Sequence, residues 1–163
     1  MTKELSGKVA LVAGGSRGIG AASARALADK GADVAISYVA NAAAAEAVVA
    51  ELIGKGARAK AFKADQGVTA EIKQLVGDVV AHFGRLDIVL ANAGVLEMRT
   101  VDAEGDTAPL DHLYQVNLAG VVTLIRESSR VLADNGRIIA ISSQVASRIG
   151  MAGLADYSAT KAA

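Results

Sequence analysis

Five short apolar runs alternate with longer helical stretches along this chain, and no other feature constrains its fold as much. The runs are Val9–Ala13, Asp33–Tyr38, 58–64, 86–91 and 137–141. Each has the length of a strand and ends at glycine or polar residues. Between them the apolar residues recur at helical spacing. A helix over 18–30 is stopped by Gly31. A second starts at Asn41 or Ala42 and runs to about Gly54, with Val48, Val49 and Leu52 as its apolar face. Thr69 is placed to cap a third, in which Ile72, Leu75, Val76, Val79, Val80 and Phe83 recur and Gly84 is the stop. Pro109, the only proline, suits the first turn of a long helix over 108–133. After Ser142-Ser143 a loop leads to a last helix beginning near Asp156. This order predicts an α/β fold, a doubly wound parallel sheet with helices on both faces, in one domain over 1–163.

Composition agrees with a covered sheet. Hydrophobic residues make up 52% of the chain but aromatic ones only 3%, so the core must be built from Val, Ile, Leu and Ala. Lys+Arg and Asp+Glu balance at 17 each, which argues against nucleic acid or an anionic membrane as partner. The absence of Cys excludes disulfides, thiolate chemistry and Cys-ligated metal. His82 and His112 lie far apart without metal-ligand spacing, and each reads as a helix-surface residue, so no metal site is expected. Residues 1–8 carry Lys3, Glu4 and Lys8 around one Leu, unlike a signal peptide, and no apolar run approaches a membrane span. The expected location is the cytoplasm.

The chemistry starts at the turn Ala13-Gly14-Gly15-Ser16-Arg17-Gly18-Ile19-Gly20, between the first strand and the first helix. Glycines let backbone approach a ligand, and the free N–H groups of a first helical turn face negative charge. The spacing Gly14-x-x-x-Gly18-x-Gly20 is neither the common dinucleotide fingerprint nor a P-loop. Near the other end, Tyr157 and Lys161 are four apart and share a helix face. A phenol in water titrates at roughly pH 10, too high for efficient proton transfer at neutrality. An ammonium beside it stabilises its anion.

With Asn92-Ala93-Gly94, Asn117, Ser143 and Tyr157-Ser158-Ala159-Thr160-Lys161 in order behind the glycine turn, the sequence resembles the short-chain dehydrogenase/reductase family through essentially its whole length. The resemblance implies a Rossmann-type fold. It also implies an oxidoreductase that moves a hydride between nicotinamide and a carbonyl or secondary alcohol. Tyr157 would be the general acid/base. Lys161 would tune it and hold the nicotinamide ribose. Ser143 would hydrogen-bond the substrate oxygen, and Asn117 would hold a water that links the lysine to solvent. Cofactor contacts would come from Gly14, Ser16, Arg17, Gly18, Ile19 and Gly20, and from Ser37, Tyr38 and Asn41. Asp65 would contact the adenine, or act only as a strand-end cap. Asn92, Ala93 and Gly94 would line the site, with Tyr157 and Lys161 beyond. No acid stands at the end of the second strand, Ser37-Tyr38-Val39-Ala40-Asn41-Ala42, and Arg17 lies in the turn. An acid there would repel a 2′-phosphate, so NADP(H) is expected over NAD(H). Similar sequences include 3-oxoacyl-carrier-protein reductases, sugar dehydrogenases and polyketide-type ketone reductases. A small carbonyl or alcohol substrate is therefore implied.

Three departures from the family pattern stand out. Ala13 replaces the usual Thr of the turn, removing a hydroxyl worth about 1 kcal/mol. The interval from Ser143 to Tyr157 is one residue longer than usual, so Ser142 or Gln144 could be argued for. Ser143 is preferred because the register from Arg137 places it just past the last buried residue. Finally, family members continue well past the Tyr/Lys motif, whereas this sequence stops at Ala163. The expected fold is therefore C-terminally incomplete. Its long helix lacks a partner and the strand over 137–141 is an open edge. Tyr157 and Lys161 stand on barely two turns of helix, which alone would be marginal. The completed protein would form a homo-oligomer, a dimer or tetramer. The rival expectation is a nucleotide-binding module or reductase fragment without catalysis.

Overall fold

The structure, a computed structural model, describes residues 3–148 and 151–163. Residues 1 and 2, and 149 and 150 in the loop before the last helix, lie outside the described residues. Strands β1 (Val9–Ala13), β2 (Asp33–Tyr38), β3 (Ala59–Lys63), β4 (Ile88–Ala91) and β5 (Arg137–Ala140) form one parallel sheet in the order β3-β2-β1-β4-β5. The apolar runs beyond the first two are each one or two residues longer than the strands they form. Register is continuous at the centre, with Val12 opposite Ile36 on one side and Leu90 on the other.

Alternation along β1 sorts its side chains to two cores. Val9, Leu11 and Ala13 face α3 (Thr69–Phe83) and α5 (Val121–Ser129), packing with Leu75, Val79 and Leu124. Val12 faces the other way, toward α1 (Gly18–Asp29) and α2 (Ala42–Gly54), with Ala24, Ala28, Val48 and Leu52. The small residues of α1 let it lie close on the sheet: Ala21, Ala24 and Ala28 are all buried. Asn41 caps α2, its side-chain oxygen accepting from Ala44 N at 2.9 Å. Gly84 ends α3 in the left-handed conformation, its N–H returned to Val80 O at 2.8 Å.

Two helical expectations are corrected. Thr69 does not cap α3; it is the first helical residue, and Val68 holds the cap position without a side-chain bond. The entry is fixed instead by Glu71, whose carboxylate accepts from Asp65 N at 2.7 Å. The long helix over 108–133 is neither uniform nor so long. It comprises α4 (Ala108–Tyr114), a π-helical turn (Gln115–Gly120) and α5, and it ends at Ser129. Leu132 then packs into the core and Ala133 N donates to Leu86 O, which turns the chain toward β5. β5 is an open edge with Ile139 half exposed. No helix among the described residues is long and apolar enough to cross a membrane. The last helix, α6 (Ala155–Ala162), returns beside α4 at the C-terminal ends of the strands.

Candidate active site

The sheet order reverses between β1 and β4, which is where open α/β sheets bind ligands. A cleft of about 930 Å³ opens there. The glycine turn forms one wall. Gly20 must be glycine, since a Cβ would fall 2.2 Å from Gly14 O. The turn is tied down from both sides. Ser37 Oγ accepts from Gly14 N at 3.1 Å, and Asn92 Nδ2 donates to Ala13 O and Gly14 O at 3.0 and 3.1 Å. These bonds anchor the turn that Ala13 itself cannot anchor with a hydroxyl. α1 starts at the cleft without a side-chain cap, leaving its first N–H groups for an anion.

Most of the sequence candidates meet here. Gly14, Ser16, Arg17, Gly18, Ile19, Tyr38, Asn41, Asp65, Asn92, Ala93 and Gly94 all line the cleft. Ser37 does not. It is buried beneath the turn, so its hydroxyl supports the backbone instead of facing a ligand. Gly20 likewise lies behind the lining, against Gly14 and Asn92. Asp65 is both a lining residue and a strand-end cap, its Oδ1 accepting from Gly67 N at 2.8 Å.

At the β4 end a polar cluster converges on Gly94. A Cβ there would lie 3.2 Å from Asn117 Oδ1 and 3.3 Å from Lys161 Nζ and would crowd both groups. The π-helical turn presents Asn117 to this point. Its Oδ1 accepts from Val95 N, and its Nδ2 donates to Val95 O and to Thr160 Oγ1, at 2.9, 2.9 and 3.2 Å. Lys161 Nζ donates to Ile141 O at 3.1 Å and lies 5.9 Å from the Tyr157 ring centre. Burial lowers the Lys161 pKa from its ordinary value.

The short α6 does not stand alone, contrary to expectation for an isolated pair of turns. Tyr114 Oη donates to Asp156 Oδ1 at 3.1 Å, Asn117 holds Thr160, and Ser142 Oγ donates to Lys161 O at 2.7 Å. Ser142 is therefore committed to the helix. Ser143 Oγ accepts from Val145 N at 3.4 Å and retains its own proton to offer. That contrast leaves the Ser143 hydroxyl, unlike that of Ser142, with a proton to donate. The burial argument for it does not hold, because Ile139 and Ala140 of the edge strand are exposed.

Two polar lining residues were missed in the sequence. Gln66 is buried, and its Nε2 donates to Ala93 O at 2.9 Å and Val116 O at 3.0 Å, tying the β3 end to both the β4 end and the π-helical turn. His112, expected only as a surface residue, is exposed but lies at the mouth of the cleft. Its spacing of four from Val116 is the signal that could have placed it there, since both then share one helix face.

The fold and this cleft define a doubly wound α/β protein with a Tyr/Lys pair beside the cleft. The family model described as short chain dehydrogenase matches residues 8–163, and the chain belongs to that family. It is 42% identical to versicolorin reductase 1 of Dothistroma septosporum over 98% of this chain and 60% of that relative. It is similar to a short chain dehydrogenase of Burkholderia cenocepacia J2315 solved with NADP, with a TM-score of 0.93 and 42% identity over 97% of this chain and 64% of that one. A blue fluorescent protein from a metagenomic library, solved with NADPH, gives a TM-score of 0.94 and 38% identity over 98% and 65%. The chain thus spans about 60% of the length of the curated relatives it matches.

Proposed function

We propose that the protein of this chain is an NADP(H)-dependent oxidoreductase acting on a carbonyl or secondary alcohol. The observation that carries this reading is the meeting of Lys161 Nζ and Asn117 Oδ1 at Gly94, at the inner end of a cleft whose outer wall is an uncapped helix N-terminus. The cleft fits a nicotinamide dinucleotide. The glycine turn and the start of α1 would hold the diphosphate. Tyr38 and Asn41 would flank the adenosine ribose, and Asn92 to Gly94 would line the nicotinamide half. When bound, the cofactor supplies or accepts a hydride.

The chain's own residues do the remainder. Ser143 donates to the substrate oxygen and stabilises charge that develops there. Tyr157 gives its phenolic proton to that oxygen in reduction and takes it back in oxidation. Lys161, held by Ile141 O, places positive charge beside the phenol and favours its anion. Asn117, fixed by Val95, leads from the lysine toward the π-helical turn and supports proton return. Arg17 and the acid-free end of β2 favour the 2′-phosphate, and the NADP and NADPH of the two structural relatives are consistent with this.

The test is paired titration and turnover. NADPH should bind more tightly than NADH and be consumed with a ketone panel. Tyr157→Phe should still bind NADPH but lose turnover by a thousandfold or more, on the order expected for removing a proton-transfer group in a covalent-bond-making step. Tighter NADH binding would overturn the cofactor assignment. Binding without turnover would favour the second reading, a nucleotide-binding module.

A further inference from the structure

Laid across the switch point, a dinucleotide sends one nucleoside over β4 and β5 and the other over β2 and β3. On the reading above, the ribose would stand at the end of β2 by Tyr38 and Asn41, and the base beyond it at the end of β3, by Asp65 and Gln66, all of which line the cleft. One ring from α4 borders this place. His112 of α4 lines the same cleft as Val116, one turn further along. Its ring lies close to the β3 turn: a Cβ on Gly67 would come 3.8 Å from His112 Cε1 and 3.2 Å from Val116 Cγ2. The imidazole is exposed, and the floor beneath is filled by buried Gln66. Among the described residues lining the cleft only Tyr38 and His112 carry rings, and Tyr38 stands at the ribose.

We propose that His112 is a cofactor-binding residue whose ring covers the adenine base by stacking. This rests on the reading of the cleft as a nicotinamide dinucleotide site. A planar, neutral base gains from an aromatic face and loses it on truncation. The contact makes the outer wall of the site depend on α4, which also leads into the π-helical turn carrying Asn117. The adenine thus packs on the same continuous helix that positions the inner polar cluster.

The experiment measures binding of NADPH and of reduced nicotinamide mononucleotide, which lacks the adenine, to three forms of the chain. His112→Ala should weaken NADPH by about fivefold or more, the scale of a lost base stack. It should leave the mononucleotide within about twofold, since that ligand never reaches the ring. His112→Phe should keep NADPH affinity near that of the natural residue. Equal NADPH binding by His112→Ala and the unsubstituted chain would overturn the inference and leave the cleft assignment standing. So would a loss in His112→Phe as large as in His112→Ala, which would mean the imidazole acts by charge or hydrogen bonding. If the unsubstituted chain binds no NADPH, the cleft assignment fails and the inference with it.

Discussion

Single residues decide whether the glycine turn keeps its shape. Ser37 lies a full strand away in sequence, yet its Oγ takes the N–H of Gly14 and its backbone oxygen takes the N–H of Gly15 at 3.0 Å. Without a Thr at position 13, this serine and Asn92 are what tie the turn to the sheet. Ser37→Ala would take this partner from the half-buried Gly14 N–H, at a cost of about 1 kcal/mol. The expected outcome is a drop of that size in urea unfolding free energy, together with weaker NADPH binding. An unchanged unfolding curve would show that Asn92 and the backbone bond from Gly15 suffice to hold the turn. The residue was legible in the sequence as a site candidate, but its role was not. Which end of a buried strand residue meets the ligand depends on pairing between β1 and β2, and a single strand read alone does not carry that information.

At the scale of elements, the parallel sheet follows directly from hydrophobic patterning. The runs at Val9–Ala13 and Asp33–Tyr38 became strands with the same ends, because burial on both faces demands continuous apolar residues. The interruption at Gln115–Gly120 was not legible. Gly120 at its end is only a weak signal, and the π-helical turn depends on partners from elsewhere: Gln66 bonds Val116 O, and Val95 bonds both ends of the Asn117 amide. The stability of α6 was illegible for the same reason. Eight residues of helix predict little by themselves, whereas the contacts from Tyr114, Asn117 and Ser142 are tertiary. Burial, then Asp156, raises the Tyr114 pKa, so its hydroxyl stays protonated and donating through neutral pH. Tyr114→Phe removes this bond at the first turn of α6. Amide exchange in Ala155–Ala162 should speed up about fivefold, the effect of roughly 1 kcal/mol, while exchange in α1 stays the same. Equal acceleration in both helices would mean that the substitution loosens the whole fold and that the bond is not a local clamp.

For the whole molecule, the opposite end of the sheet carries the strongest electrostatic tie. Asp87 is buried at the start of β4 and gathers four donors from three residues. Val9 N of β1 lies at 3.0 Å, Lys8 Nζ at 3.1 Å, and Arg85 reaches it twice, at 2.7 and 2.6 Å. Burial opposes its ionisation, but the Arg85 guanidinium, the Val9 N–H and the Lys8 ammonium outweigh it and lower its pKa from 3.8 to about 2. A carboxylate held lower in the folded than in the unfolded chain stabilises the fold above its unfolded value. That stability disappears as pH falls through the folded value. The shift corresponds to about 2 kcal/mol. Unfolding free energy should therefore be flat from neutrality down to about pH 4 and then decline by about this amount toward pH 2. Asp87→Asn keeps the shape but cannot attract the two cations. It should be less stable than the natural residue at neutral pH and lose this part of the acid decline. Because Asp87 is far from the cleft, the same variant should bind NADPH normally once folded. A steep acid decline that persists in Asp87→Asn would move its origin to other carboxylates, of which Glu51, paired with Arg25 across α1 and α2, is the one whose pKa is also lowered.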